Sequence, residues 1–229
     1  MPIDVNGFKI TSDMVKPFKY KDIITNGLVM YLDADAPESY PGSGTNWYDL
    51  SNNNNNGVLN GGITYTTNGG YGVIQLNGTG NYVSVSSLNL STSNFTIIGA
   101  TRYTSGQTGR ILSGLNNNWL LGHWSNSVAN YYSDGWVSSV GAGGTDANWR
   151  IYTGTGNISS DVYSMYINGT LNVSNSGGGA GPNGLSIGAY IGASEWSNGQ
   201  VSFVLAYNRI LSAAEITRTY DAFKYRIGL

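Results

Sequence analysis

From residue 27 onward, apolar and polar positions alternate with the two-residue period of strands that bury one face. Leu28, Met30 and Leu32 alternate with Val29, Tyr31 and Asp33, and the rhythm returns in Val73-Ile74-Gln75-Leu76 and Tyr82-Val83-Ser84-Val85. Further strand candidates are Phe95-Thr96-Ile97-Ile98, Arg110-Ile111-Leu112, Trp119-Leu120-Leu121, Trp136-Val137 and Trp149-Arg150-Ile151-Tyr152, with Gly- and Asn-rich turns between them. Asp161–Ile167 and Thr170–Val173 bracket Asn168-Gly169, a dipeptide that tolerates positive φ at both positions and so predicts a type I′ hairpin. Leu185–Tyr190 and Val201–Tyr207 supply two late strands, the second with Val201, Phe203, Leu205 and Tyr207 on one face. Many short strands joined by such turns predict an all-β chain folded as a two-sheet antiparallel sandwich.

The period changes once, near the C-terminus. Ser212 followed by Glu215 is a capping box, and Leu211 can pack on Ile216 as a hydrophobic staple. A helix is predicted over about 213–225, with Ile216, Tyr220 and Phe223 along one stripe. At the other end, residues 1–24 carry Lys9, Lys16, Lys19 and Lys21, two prolines and only short apolar pieces. This segment reads as an extended N-terminal arm, and residues 25–229 as one domain. Phe8, Ile10, Val15, Phe18 and Tyr20 make the arm more apolar than a solvated tail requires. A frayed terminus and a strap anchoring the chain to a neighbouring subunit are both open on this reading.

Composition narrows the class. The 229 residues include 33 Gly, 17 Tyr and 6 Trp but no Cys, and only 10% are charged. All-β sandwiches of this length occur as one domain. Absence of cysteine removes disulfides and thiolate chemistry together. A net charge of −2 with scattered basic residues lacks the positive stripe of a nucleic-acid binder. No apolar run approaches the roughly 20 residues of a membrane helix. The opening Met1-Pro2-Ile3-Asp4-Val5-Asn6-Gly7 lacks the basic and apolar regions of a signal peptide, so secretion directed by this N-terminus is not expected.

Two stretches then carry a resemblance. Gly27-Leu28-Val29-Met30-Tyr31-Leu32-Asp33-Ala34 with Ser39-Tyr40-Pro41-Gly42-Ser43-Gly44-Thr45-Asn46-Trp47-Tyr48-Asp49-Leu50-Ser51 is similar to the opening of concanavalin A-like, laminin G-like jelly-roll domains. The variant it resembles is common in virion proteins of tailed bacteriophages. Where that family reads S-G-N-G-N-N-G, this chain has Ser51-Asn52-Asn53-Asn54-Asn55-Asn56-Gly57. Asn is the next residue most tolerant of left-handed backbone, so the loop shape should survive. Ala206-Tyr207-Asn208-Arg209-Ile210-Leu211-Ser212-Ala213-Ala214-Glu215-Ile216 resembles the family's closing Y-N-R-x-L-S-x-x-E-I. Many members carry an acidic pair before this signature, where this chain has Ser202-Phe203. The resemblance covers 27–227 and implies a jelly roll, with a virion structural role and multicopy assembly.

Candidate chemistry is sparse. Glucanases on this fold need two carboxylates flanking a glycosidic bond, and of the 13 acids only Asp33 and Asp35 lie two apart, with Glu195 alone beside Trp196. The single histidine, His123, sits in an apolar stretch and reads as structural. Zinc in its usual forms is excluded, since there is no second His and no Cys. Asp33, Asp35 and Glu38 could offer oxygen ligands to calcium, the one cofactor left open, or they could hydrogen-bond turn amides. Trp119, Trp124, Tyr131, Tyr132, Trp136 and Trp149 concentrate amid Asn and Ser, the surface chemistry of sugar binding, although strand alternation would bury several of them. Three functions compete. The chain is expected to be a non-enzymatic, surface-exposed virion protein, either decorating the capsid or attached to the tail, anchored by its arm and able to contact host glycans. A carbohydrate-binding tail-fibre or adhesin module is the alternative, and a glycan hydrolase, using Asp33, Asp35 or Glu195, is third. No nucleic-acid or membrane partner is expected.

Overall fold

The computed structural model describes residues 23–229 other than 142, and the backbone at 3–5 and 8–10. The strands are, in order, β1 (Ile3–Val5), β2 (Phe8–Ile10), β3 (Leu28–Asp33), β4 (Asn46–Trp47), β5 (Gly57–Asn60), β6 (Thr64–Asn68), β7 (Tyr71–Asn77), β8 (Tyr82–Asn89) and β9 (Phe95–Thr108). They continue with β10 (Leu112–Gly114), β11 (Trp119–Trp124), β12 (Ser127–Ser133), β13 (Arg150–Asn157), β14 (Val162–Ile167), β15 (Thr170–Asn175), β16 (Asn183–Ile187) and β17 (Ser197–Tyr207). The helix α1 (Ala213–Phe223) and a 3₁₀ turn, Lys224–Ile227, follow.

Two antiparallel sheets stack face to face. One runs β12-β11-β10-β16-β8-β5-β4 and the other β15-β14-β13-β9-β17-β7-β6, with β3 lying beside the second half of β17 where β7 flanks the first. Alternating side chains from both, among them Met30, Leu32, Trp47, Val83, Ile97, Leu121, Leu185 and Val204, fill the space between the sheets. Each such side chain contributes about 1.5–3 kcal/mol of burial. Opposite positions of the second sheet, including Tyr31, Ile98, Ile151, Phe203 and Leu205, form a smaller core under Ile216, Phe223 and Ile227. The predicted sandwich with one C-terminal helix is therefore present, as three layers in which the helix covers the outer face of the β3–β17 sheet.

Irregularities account for what the alternation alone misassigns. The expectation that Val201 shares a face with Phe203, Leu205 and Tyr207 is corrected by a β-bulge: Val201 pairs with Thr101 but Phe203 with Ala100, so Ser202 is the extra residue. Val201 turns into the inter-sheet core while Phe203, Leu205 and Tyr207 face the helix. Trp136-Val137 is not a strand, only a single bridge from Trp136 to Tyr132 followed by a bend. Arg110 and Ile111 precede β10, because they sit in the connection that crosses between the sheets.

The two signature motifs meet in space. Asp49 accepts the Tyr31 and Ser51 amides through Oδ1, at 2.8 and 2.9 Å, and the Asn55 amide through Oδ2 at 2.9 Å, so one carboxylate organises the Asn-rich loop. Asn52 and Asn54 adopt φ of 67° and 60°, the left-handed positions at which the family has glycine. From the closing motif, Arg209 donates to the Asn26 carbonyl at 2.8 Å and to Glu215 at 2.6 and 3.0 Å, fastening the helix start to the start of the sandwich.

The capping box forms as expected: Ser212 Oγ accepts the Glu215 amide and Glu215 Oε2 accepts the Ser212 amide. Ser212→Ala should cost about 1 kcal/mol, read as a lowered urea midpoint with unchanged slope. The Arg209 hydrogen bonds, then the Ser212 amide, hold the Glu215 carboxyl at about 2, below its ordinary 4.5. A depressed carboxylate stabilises above the unfolded value, so this contribution should be full above pH 4.5 and fade as pH falls toward about 2.

At the N-terminus, β1 and β2 pair as a hairpin, Ile3 opposite Ile10, within the segment expected to be extended. Of the anchoring residues expected there, Phe8 and Ile10 lie on β2, while Val15, Phe18 and Tyr20 fall outside the described residues. Ile23 and Ile24 already pack on the core under the helix, so the sandwich begins inside the segment assigned to the arm.

Candidate functional site

The six aromatic candidates separate into three environments. Trp119 and Tyr131 are fully buried between the sheets, edge to face at 6.0 Å, and the Tyr131 hydroxyl donates to the Thr155 carbonyl. Burial pushes the Tyr131 phenol well above its ordinary value. Trp149 lies in the core on the helix side, with the Arg102 guanidinium 5.1 Å over its ring. These three cannot reach a ligand and are corrected to structural residues, because alternation points them inward and each is too large to leave a gap. Trp124, Tyr132 and Trp136 are half-buried and form one surface cluster, with Trp136 at 5.2 Å from each of the other two rings.

Local structure explains why these three are displayed. On β11 Trp119 and Leu121 enter the inter-sheet core and His123 packs on Tyr103 and Tyr152 within it, so Trp124, of the opposite parity, points outward. Trp124 is the last residue before a two-residue turn, Ser125-Asn126, whose φ values of 47° and 63° are those of a type I′ hairpin. Tyr132 is the outward neighbour of Tyr131 on β12, and its bridge to Trp136 folds the next loop back so that the indole covers the strand end.

Beside Trp124, two connections crossing between the sheets border an open cavity of about 440 Å³, lined by Thr108, Trp124, Ser125, Asn126, Glu195 and Trp196. The Gly109 amide donates to the Trp196 carbonyl at 3.1 Å and the Arg110 amide to the Glu195 carbonyl at 2.9 Å. A Cβ at position 109 would lie 1.9 Å from the Glu195 carbonyl oxygen, so only glycine lets the connections approach this closely. Glu195 itself is held at φ 48°, a conformation a long side chain adopts only when its surroundings impose it. Its Oε2 accepts from Arg110 Nε at 2.6 Å and from Trp124 Nε1 at 3.0 Å. The Arg110 guanidinium also donates to Asn118 and lies 4.0 Å over the Tyr190 ring. On the far wall, Trp196 packs against Tyr82 at 5.9 Å.

Arg110, Asn118, Asn126 and Trp196 were not singled out by sequence reasoning. They come from separate connections, and only the Glu195-Trp196 adjacency hinted at the site. The arrangement offers two indoles, a carboxylate held by two hydrogen bonds and an amide: Thr108 Oγ1 donates to Asn126 Oδ1, which leaves Nδ2 as the donor of that side chain.

The acidic candidates go elsewhere. Asp33 and Asp35 lie on the helix side, where Arg226 donates to both oxygens of Asp33 and approaches Asp35 to 3.9 Å. Asp33 also accepts from the Tyr31 hydroxyl and the Asp35 amide, and Asp35 from the Gly72 amide. The cation facing these carboxylates is thus a guanidinium. Glu38 is exposed and lines a separate apolar hollow with Ile23, Leu28, Tyr31 and Leu50, so the three acids considered for calcium are not brought together, and Asp33 is paired with Arg226 instead. Glu195, on the inter-sheet connections, does not meet Asp33 or Asp35. His123 is fully buried between Tyr103 and Tyr152, at 4.5 and 5.2 Å, with Thr101 Oγ1 3.4 Å from its Nδ1. Burial, reinforced by the Arg150 charge, lowers its pKa to about 3, so it is a neutral core residue. Among the described residues no helix is long and apolar enough to cross a membrane.

Comparison with known proteins agrees with this architecture. The binding domain of Paraclostridial Mosquitocidal Protein 1 superposes with a TM-score of 0.64 at 18% identity, over 87% of this chain and 53% of that one. The sialidase of Trypanosoma rangeli gives 0.63 at 19% identity, over 88% of this chain and 33% of that one. This chain thus spans about half of the first and a third of the second. Domain 4 of AbnA, an extracellular arabinanase from Geobacillus stearothermophilus solved with arabinotriose, gives 0.62 at 14% identity, over 83% and 96% of the two chains. At such identities the likeness is one of fold. No curated protein sequence matches the chain. The family model described as the concanavalin A-like lectin/glucanases superfamily matches residues 77–217, more than half of the sequence, and the chain belongs to that superfamily.

Proposed function

We propose that this chain is a non-enzymatic structural module displayed on a phage virion, and that it contacts host glycans through the Tyr132–Trp136–Trp124 surface. The observation that carries the glycan contact is the continuity of aromatic faces there. Three touching rings lead into the cavity beside Trp124, and Trp196 with Tyr82 continue on its far side. Rings held by packing present large apolar area at little further entropy cost, and sugar C–H faces stack on such surfaces. The superfamily and the AbnA domain solved with arabinotriose are compatible with an oligosaccharide ligand. The virion assignment is supported by the opening and closing motifs, which resemble the phage variant, and by an N-terminal segment whose role would be to anchor many copies. Its partners would then be other virion proteins, in the capsid or tail. Against catalysis, Asp33 is neutralised by Arg226, and Glu195 is engaged by Arg110 and Trp124.

Trp136→Ala should weaken glycan binding about tenfold, the weight of one aromatic stacking contact, with the urea midpoint little changed. A glycan array probed with the whole chain and this variant checks it; no bound glycan, or equal binding by both, would remove the glycan reading. Deletion of 1–22, which spares Ile23 and Ile24, should abolish incorporation into particles and leave the sandwich folded. Normal incorporation would contradict the anchoring role.

A further inference from the structure

We propose that the cavity between Trp124 and Trp196 receives an uncharged sugar ring, with the Glu195 carboxylate accepting from its hydroxyls, and that it rejects sugars bearing a carboxylate or phosphate. This rests on the glycan reading above and names the ligand class. An ionised carboxylate only accepts hydrogen bonds, so it recognises donors, and neighbouring ring hydroxyls are such donors. Glu195 Oε2 is already occupied by Arg110 and Trp124, whereas Oε1 makes no hydrogen bond to the described residues.

The order of charges decides selectivity. Arg110 is the natural partner for an anionic sugar, but its side chain is only 6% exposed, covered by the Tyr190 ring and pinned to Glu195 and Asn118. A ligand entering the cavity meets the carboxylate, with the guanidinium behind it. An anionic substituent would face a like charge and gain no cation in return, which is how a site discriminates against a wrong partner. A neutral ring gains from both walls: the indoles of Trp124 and Trp196 line the cavity with apolar area, and Asn126 Nδ2 offers a donor to a hydroxyl or ring oxygen. The volume, about 440 Å³, falls within the range of small-molecule sites and suits one sugar unit with its substituents.

Geometry shows that the carboxylate is placed in advance of binding. The left-handed backbone at Glu195, the close passage at Gly109 and the hydrogen bond from Trp124 fix it before any ligand arrives, so little ordering entropy opposes binding.

The test is a binding comparison on the whole chain, using neutral glucan, mannan and galactan oligosaccharides against uronate, sialylated and phosphorylated counterparts. The parent should bind at least one neutral series and discriminate against its anionic partners about tenfold or more. Glu195→Gln, which keeps shape but removes the charge, should weaken neutral binding by about ten- to a hundredfold, the weight of hydrogen bonds to a charged group. Because that variant also leaves Arg110 without its counter-charge, Asn126→Gly provides a second reading. It keeps the left-handed turn, removes only the amide and should weaken binding about fivefold. Preference for anionic glycans, or parental affinity in both variants, would overturn this proposal while the broader glycan reading stands. Absence of all glycan binding would overturn both.

Discussion

Arg226→Ala is expected to destabilise the fold by about 3–5 kcal/mol, the cost of leaving a buried charge without its partner. Both side chains of the pair are 1% exposed, and the guanidinium donates to both carboxylate oxygens of Asp33. Burial alone would lower the Arg226 pKa, but the Asp33 charge and hydrogen bonds more than reverse it, so the group is held firmly protonated. The pair joins the 3₁₀ turn at the end of the chain to β3 near its start, underneath Phe203 and Phe223, whose rings lie 5.8 and 5.4 Å from the guanidinium. Arg226→Lys should recover part of the loss, since an ammonium restores charge but not the two-pronged geometry. Replacing both partners with apolar residues should recover only part of it, because the Asp33 charge goes with Arg226 but buried Asp35, 3.9 Å from the guanidinium, loses the cation that faced it. Urea denaturation of the three variants reads this directly; an Arg226→Ala midpoint close to the parent's would show that the pair does not hold the C-terminus in place.

Trp119→Ala should cost a comparable amount, about 3–5 kcal/mol, by opening a large cavity. Its ring is fully buried, set edge-on to Phe95 at 6.4 Å and to Tyr131 at 6.0 Å. Glycan affinity, measured at a temperature where the variant is still folded, should match the parent's. Trp136→Ala is expected to do the reverse, losing affinity and keeping stability. The two tryptophans belong to one cluster in the sequence, and measuring both quantities on both variants separates a core residue from a contact residue. Loss of affinity in folded Trp119→Ala would mean that the surface cluster depends on the packing beneath it.

Much of the architecture was legible because it is written in local periods. Alternation marked most of the long strands, Asn168-Gly169 marked a hairpin that forms with φ of 52° and 77°, and Ser212 with Glu215 marked the helix start. What escaped was either short or displaced by a bulge. β4 has two residues and β6 is exposed along most of its length, so neither has an apolar period to detect. The extra residue at Ser202 moved Val201 to the other face, a one-residue shift that no alternation rule anticipates.

The candidate site was legible only as a composition. Aromatic residues amid Asn and Ser drew attention to the middle third of the chain, and half of the six named there, Trp124, Tyr132 and Trp136, reach the surface. Which half was settled by strand parity and, for Trp136, by the bridge to Tyr132. The partners Arg110, Asn118, Asn126 and Glu195 come from separate stretches of the chain, joined by hydrogen bonds spanning up to 85 positions. Likewise Asp33 and Asp35 read as a turn or a calcium site until Arg226, 193 positions away, was brought onto them. By itself, then, the sequence determined most of the long strands, the helix, the left-handed loop and the superfamily, since each depends on residues close together along the chain. Tertiary structure alone decided which aromatics are displayed and which charges are neutralised, because exposure and pairing depend on neighbours that only the packed sheets supply.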